Sequence, residues 1–273
     1  DLWGRIRRSN EAARAEALAS QFGRDSIRLT LIGQVANEYL ALRSLDAQLQ
    51  VTEQTLESRR QSLKIVQARL DAGSASALEL AQAESVLSGA QAQLNQLKRQ
   101  RALSENQLGL LTGQPGLKLA ADTLERLPLP PTPPAGLPSS LLEARPDVRK
   151  AETDLIAANA KIGVAKAALF PTITLTGSLG RESRDLSDLF SPAAAVWSIG
   201  TGLTQPIFEG GRLRAQVEQV SAQQKQSLEA YRKSVQTAFR EVNDALISVR
   251  QNGDSEVALG QAMRHANTVV KHK

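Results

Sequence analysis

The sequence predicts a mainly α-helical protein of long antiparallel coiled-coil helices, interrupted by one β-hairpin of membrane-spanning length. Three observations predict it. Leucine heptads run through two proline-free stretches on either side of a short Gly–Ser break. Between residues 170 and 208 the spacing of apolar residues switches from three and four to two. Aromatic residues are only 3% of the 273, against 41% hydrophobic residues in all. That balance suits helices packed through Leu, Val and Ala better than a compact aromatic core.

Taken in order, Asp1-Leu2-Trp3-Gly4-Arg5 reads as a strand end leading into a helix. From there to about Ala72 there is no proline and no turn cluster. Unbroken, that is about 100 Å of helix. Gly23 and Gly33 each cost it about 1 kcal/mol relative to Ala. In its second half Leu49, Leu56, Leu63 and Leu70 recur every seven residues, interleaved with Leu45, Thr52, Arg59 and Val66. The pattern stops at Asp71–Ser76. Gly73 is suited to end a helix, and Ser76 with Glu79 forms a capping box that starts the next. A second heptad then runs from Ala77 to about Leu111: Leu80, Leu87, Leu94, Arg101 and Leu108, alternating with Ala83, Ala90, Leu97, Ser104 and Leu111. Two heptad helices joined by a short turn make an antiparallel hairpin. Its many Ala, Ser and Thr seam positions bury little area, so other helices or other subunits are expected against it.

Residues 115–145 are rich in Pro and Leu and read as an extended connector, with one short helix near Ser140–Ala144. A PxxP ligand is the alternative, but the stretch lacks flanking basic residues. A helix begins at Arg145-Pro146-Asp147 and runs to Ala168, where Pro171 forbids its continuation. Beyond it Ile173, Leu175 and Leu179 alternate with Thr172, Thr174 and Thr176. The returning strand, from Trp197 towards Phe208, sets Trp197, Ile199 and Leu203 against Ser198 and Thr204. Period two gives each strand one apolar and one hydroxyl face. Each is roughly ten residues, the length that crosses a bilayer when tilted. Antiparallel pairing sets Phe170 and Phe208 at one end and Trp197 near the other, like aromatic belts. A soluble hairpin packed on a core uses the same alternation. From Gly211 a helix runs to the C-terminus, with Val235, Phe239, Val242, Leu246 and Val249 as its apolar stripe; Asn252-Gly253-Asp254 is a break or a weak turn of it. Gly4-Arg5 and Gly211-Arg212 each precede such a helix, suggesting a strand–helix unit used twice. The expected segments are 1–114, 115–145, 146–169, 170–209 and 210–273.

The net charge is +5, with Lys and Arg scattered among Asp and Glu, which argues against nucleic acid. Cysteine is absent. His265 and His272 lie seven apart, where a helical metal pair needs three or four, and read as surface residues. There is no Ser/His/Asp set or CxxC, and Gly210-Gly211 lacks the rest of a phosphate loop. Carboxylates spread along helix faces read as solvating groups. Neither an enzyme nor a cofactor is expected. No run of about 18 apolar residues exists, so a membrane would be crossed by strands. The chain begins at Asp1 without Met, leader or lipidation Cys and ends at Lys271-His272-Lys273 within a helical pattern, and reads as a fragment cut at both ends.

The stretch GLPSSLLEARPDVRKAETDLIAANAKIGVAKAALFPTITLTGSLG closely resembles the central signature of TolC-type outer-membrane efflux factors, in the OprM/NodT lipoprotein subgroup. QPIFEGGRLRAQVE, TAFREVNDAL, DLWGRIRRSNEAARAEALAS, VANEYLALR and RLDAGSASALELAQAE match as well, so the resemblance covers nearly the whole chain. It implies a homotrimer whose protomers each give four strands to a twelve-stranded outer-membrane barrel, continued by a helical periplasmic tunnel. It implies a passive exit duct for drugs or other small toxic compounds, powered by an inner-membrane RND-type pump and joined to it by a periplasmic adaptor (membrane fusion) protein. On this pattern Ile173, Leu175, Leu179, Trp197, Ile199 and Leu203 face lipid, and Thr172, Thr174, Thr176, Ser198 and Thr204 face the lumen. The family's gate residues would lie beyond Lys273. The turn bearing Arg69, Leu70, Gly73, Ser76, Leu78 and Leu80 is expected to dock the adaptor; the other reading is that Gly73 and Ser76 only make the turn. The rival class is a soluble periplasmic coiled-coil protein, such as the adaptor itself. A helical pore-forming toxin ranks third, because it would need a long apolar helical hairpin.

Overall fold

The computed structural model describes residues 1–122, 124, 127 and 144–271, the side chains at 267 and 269–271 apart. Its elements are α1 (Arg5–Asp71), α2 (Ala77–Leu111), α3 (Pro146–Ala167), β1 (Thr172–Arg181), β2 (Ala195–Thr204) and α4 (Arg212–Lys271), with two short 3-10 turns between the strands. The connector helix expected near Ser140–Ala144 lies outside the described residues. The chain divides into two compact units, residues 27–137 and residues 1–26 with 138–273.

In the unit of residues 27–137, burial follows the heptads. Thr52 and Leu56 of α1 and Leu94, Leu97, Ser104 and Leu108 of α2 are buried, and Leu42 is fully so. Leu63, Val66, Leu80, Ala83 and Leu87 are half-buried, so the seam thins towards the turn, and Arg59 is exposed. The turn is made by two local devices. Gly73 sits at φ +72°. Its N–H reaches Leu70 O at 2.9 Å while Ser74 N–H reaches Arg69 O at 2.7 Å, the paired bonds of a Schellman stop. Ser76 then caps α2, its hydroxyl accepting from Glu79 N–H at 3.2 Å while the Glu79 carboxylate accepts from Ser76 N–H at 3.1 Å.

In the other unit the first turns of α1 pack beside α3 and α4 through small residues. Ala12, Ala15 and Ala19 of α1, Ala157, Ala160, Ala165 and Ala167 of α3 and Ala238 of α4 are all buried. Such an alanine core lets helices approach closely but buries little area per residue. Arg145 at the N-terminus of α3 bridges to Glu241 of α4 at 2.6 Å. Beyond that pair α4 outruns α3, which corrects the expected stripe. Val235 and Val242 are half-buried, but Phe239, Leu246 and Val249 are exposed, since nothing described in this unit lies against them. Helix α4 passes through Asn252-Gly253-Asp254 without a break.

The strands end sooner than the alternation implies. Pro206 has no N–H to give a ladder, and β2 stops at Thr204. Residues 1–4 form a turn rather than a strand end. The Asp1 carboxylate there accepts from the Ile6 and Arg7 amides at 3.1 and 2.9 Å, capping α1. Trp3 stacks on Phe170, with ring centroids 4.7 Å apart. Its indole N–H donates to Pro171 O at 2.7 Å, tying the start of α1 to the start of the hairpin. Among the described residues no helix is long and apolar enough to cross a membrane.

Candidate functional site

The β1–β2 register pairs Thr172 with Thr204, Leu175 with Thr201, Leu179 with Trp197 and Arg181 with Ala195. It places Ile173, Leu175, Leu179, Trp197, Ile199 and Leu203 on one face, and Thr172, Thr174, Thr176, Ser198 and Thr204 on the other. Three residues escape the simple pattern: Thr201 and, at the strand end, Arg181 stand on the apolar face, and Val196 stands on the hydroxyl face. The apolar face is uncovered, with exposure from 55% at Ile173 to 88% at Leu179. The hydroxyl face satisfies itself along the strand. Thr172 and Thr176 donate to the carbonyls of Thr204 and Gly200 at 3.2 and 3.3 Å, and the Ser178 and Ser198 hydroxyls lie 2.8 Å apart. Glycine opposite threonine makes room for this. A Cβ at Gly202 would stand 2.7 Å from Thr174 Oγ1.

At the turn, the six residues expected at the adaptor contact divide by role. Gly73 and Ser76 make the Schellman stop and the cap, and Arg69 donates to Ser74 O at 3.2 Å. Leu70 and Leu80 are half-buried at the end of the seam. Leu78 alone of the six leaves its side chain free, at 67% exposure.

A third feature overturns the reading of the carboxylates as solvating groups. Asp46 and Glu105 are buried in the unit of residues 27–137. Asp46 accepts from Arg43 at 2.8 Å and from Arg101 at 2.6 Å. Glu105 accepts from Arg101 at 2.9 Å, Lys118 at 3.0 Å and Leu119 N–H at 2.9 Å. Arg43 and Arg101 donate on to Ala120 O and Leu119 O, both at 2.8 Å. The cluster therefore straps residues 118–122 onto the helical hairpin. Burial pushes the Glu105 carboxyl up, but the Leu119 amide, Lys118 and Arg101 outweigh it and hold it down to about 2. Arg101 is raised, first by its bond to Asp46. Arg43 stacks over Tyr39, 4.9 Å from the ring centroid, and its buried Nε has no hydrogen-bond partner among the described residues. The signal for this cluster was present in the heptad, where Arg101 and Ser104 occupy seam positions that Leu would otherwise fill. In the other unit, Arg145 holds Asp147 below the usual carboxylate range, against burial. His265 is exposed, and His272 lies outside the described residues.

Long coiled-coil helices carrying an antiparallel hairpin with faces of opposite polarity define the TolC-like α/β architecture. Residues 1–114 and 137–272 match the model of the outer membrane efflux protein family, and the chain belongs to that family. It is 42% identical over 250 residues to the solvent efflux pump outer membrane protein SrpC of Pseudomonas putida, covering 90% of this chain and 53% of SrpC. It is 38% identical over 277 residues to the outer membrane protein OprJ of Pseudomonas aeruginosa, covering 99% of this chain and 57% of OprJ. The open-state crystal structure of the MtrE outer membrane channel of Neisseria gonorrhoeae superposes with a TM-score of 0.84 at 33% identity, over 94% of this chain and 58% of that one. The chain thus spans little more than half the length of the relatives it matches.

Proposed function

We propose that the chain is part of an outer-membrane channel subunit, the passive exit duct of a tripartite efflux pump in a Gram-negative cell. In this reading three copies assemble, and β1 and β2 cross the outer membrane as part of a shared barrel. Ile173, Leu175, Leu179, Trp197, Ile199 and Leu203 meet lipid, and Thr172, Thr174, Thr176, Ser198 and Thr204 line the lumen. The helices extend into the periplasm, where the 69–80 turn meets an adaptor that links the duct to an inner-membrane RND-type pump. The duct does no chemistry on its cargo, a drug or other small toxic compound. The carrying observation is the register, which gathers every large aliphatic side chain of β1 and the large apolar ones of β2, Val196 apart, on one uncovered face. A two-stranded sheet exposing such a face is unstable in water by itself. Hydrocarbon on that side and an aqueous lumen on the other satisfy both faces at once.

The experiment is face-selective substitution in the full-length protein, read as trimer assembled in the outer membrane. Leu175→Arg or Leu203→Arg is expected to cost ~2–4 kcal/mol near the midplane, and Thr174→Arg, pointing into water, much less. Equal tolerance on the two faces refutes the membrane-spanning hairpin.

A further inference from the structure

The hairpin ends in a layer of apolar side chains with a layer of arginines directly beside it. Trp3, Phe170, Ile207 and Phe208 form the apolar layer, all substantially exposed, Ile207 and Phe208 almost completely. The arginines come from the first turns of two helices: Arg5, Arg7 and Arg8 in α1, and Arg212 and Arg214 in α4. The Trp3–Phe170 stack fixes the start of α1 against this junction. On the other side Leu169, Ile207 and Phe208 line one shallow pocket with Leu213 and Arg214. Residues that the sequence scatters over 200 positions therefore meet at one level, where strands become helices.

Cations in the first turn of a helix oppose its dipole, and neither first turn carries an acidic residue; in α1 the Asp1 carboxylate offsets part of this by capping the Ile6 and Arg7 amides. Internal pairing uses only part of the charge. Arg7, Arg8 and Arg212 meet Asp1, Glu11 and Glu209 through side chains that remain more than half exposed. Arg5 and Arg214 are exposed and have no ion-pair partner among the described residues. The unpaired charge that remains still opposes the helix dipole at both starts, and an external anion would offset it.

We infer that this junction is a lipid-headgroup collar: Arg5, Arg212 and Arg214 engage the phosphates of anionic phospholipids, while Trp3, Phe170, Ile207 and Phe208 enter the acyl boundary beside them. The inference rests on the membrane-spanning hairpin proposed above and adds the headgroup class that the channel prefers at its strand–helix junction. The charge complementarity selects an anionic lipid surface, and the adjoining apolar layer places that surface at a bilayer rather than at a soluble phosphate. Amphipathic rings at headgroup level are the usual anchors of that zone, and basic side chains beside them favour anionic lipid by roughly fivefold each near a membrane surface.

The test uses the full-length trimer in nanodiscs and measures its preference for phosphatidylglycerol over phosphatidylcholine, as lipid retained per trimer by native mass spectrometry. The wild-type protein is expected to prefer phosphatidylglycerol and to lose the preference as salt is raised. Neutralising the layer with Arg5→Gln, Arg212→Gln and Arg214→Gln should bring the ratio to unity while trimer yield stays normal. No preference in the wild-type protein, or a preference that survives in the triple variant, overturns the inference. The salt titration of the unmodified protein decides the matter even if the variant fails to assemble. Tolerance of Leu175→Arg would sink the spanning hairpin itself. Normal sensitivity there with no headgroup preference would sink only the collar.

Discussion

Removing the Glu105 carboxylate with Glu105→Ala should release residues 118–122 from the helical hairpin. The carboxylate accepts three bonds of 2.9–3.0 Å, from Arg101, Lys118 and the Leu119 amide. Its side chain is only 4% exposed. Deletion leaves the Leu119 N–H without an acceptor and Arg101 with Asp46 as its one carboxylate beside the Leu119 carbonyl. Lys118, 73% exposed, turns to water at little cost. The expected loss is about 2–4 kcal/mol, the lower part of the range for breaking a buried pair, because one of the cations is already solvated. The assay is amide hydrogen exchange at Leu119 in the full-length protein, which reads local opening directly. Exchange there should speed up roughly 30- to 700-fold, the same free energy expressed as a rate. The pH dependence has a definite sign. The folded Glu105 sits at about 2, below its usual 4.5. Its contribution is therefore complete above about pH 4.5 and fades as pH falls towards 2. Wild-type and Glu105→Ala exchange, corrected for the intrinsic pH dependence, should converge over that interval. An unchanged Leu119 rate at neutral pH, or a gap that does not narrow as pH falls from about 4.5 towards about 2, refutes the strap.

Three further substitutions, one of them with a compensating change, test local geometry. Gly202→Val should destabilise the hairpin by about 1–3 kcal/mol, because its Cβ would meet Thr174 Oγ1 at 2.7 Å, and Thr174→Ala should recover much of that loss; assembled trimer yield measures both. Ser76→Ala should cost ~0.5–2 kcal/mol, and Gly73→Ala, forced to φ +72°, ~1–2 kcal/mol; exchange rates in the last turn of α1 and the first of α2 check both.

The long-range fold was legible where one residue type repeats with the period of its element. Leu49, Leu56 and Leu63 mark the α1 seam because a helix meeting a partner must bury every third or fourth position. The Gly73–Ser76 stop and start were legible because both devices are local. The hairpin faces were legible because parity alone assigns them. What sequence could not show depends on neighbours. Phe239, Leu246 and Val249 repeat as a packed stripe would, yet Phe239 is exposed where α4 still runs beside α3, and Leu246 and Val249 lie past the Arg145–Glu241 pair at the start of α3. Asp46 and Glu105 are spaced like ordinary surface carboxylates, and only the return of residues 118–122 buries them. Arg5 and Arg212 looked scattered because 207 positions separate them in the chain.

The geometry of the 69–80 turn makes Leu78 the position that probes the proposed adaptor contact. Bulky residues at Gly73 and Ser76 would interfere with a partner approaching the tip. They would equally destroy the turn, because Gly73 is held at φ +72° and Ser76 supplies the cap. A loss of docking in such variants has two explanations. Leu78 separates them. Its side chain is 67% exposed, bonds to nothing in the turn, and lies in the first turn of α2. Leu78→Glu should change stability by no more than about 0.5 kcal/mol, since an acid there is favoured by the helix dipole. If the tip binds the adaptor through its exposed apolar residue, Leu78→Glu should reduce adaptor cross-linking and efflux while trimer yield stays normal. If cross-linking and efflux both stay at the wild-type level, the tip is a turn and nothing more, and the adaptor meets the duct elsewhere.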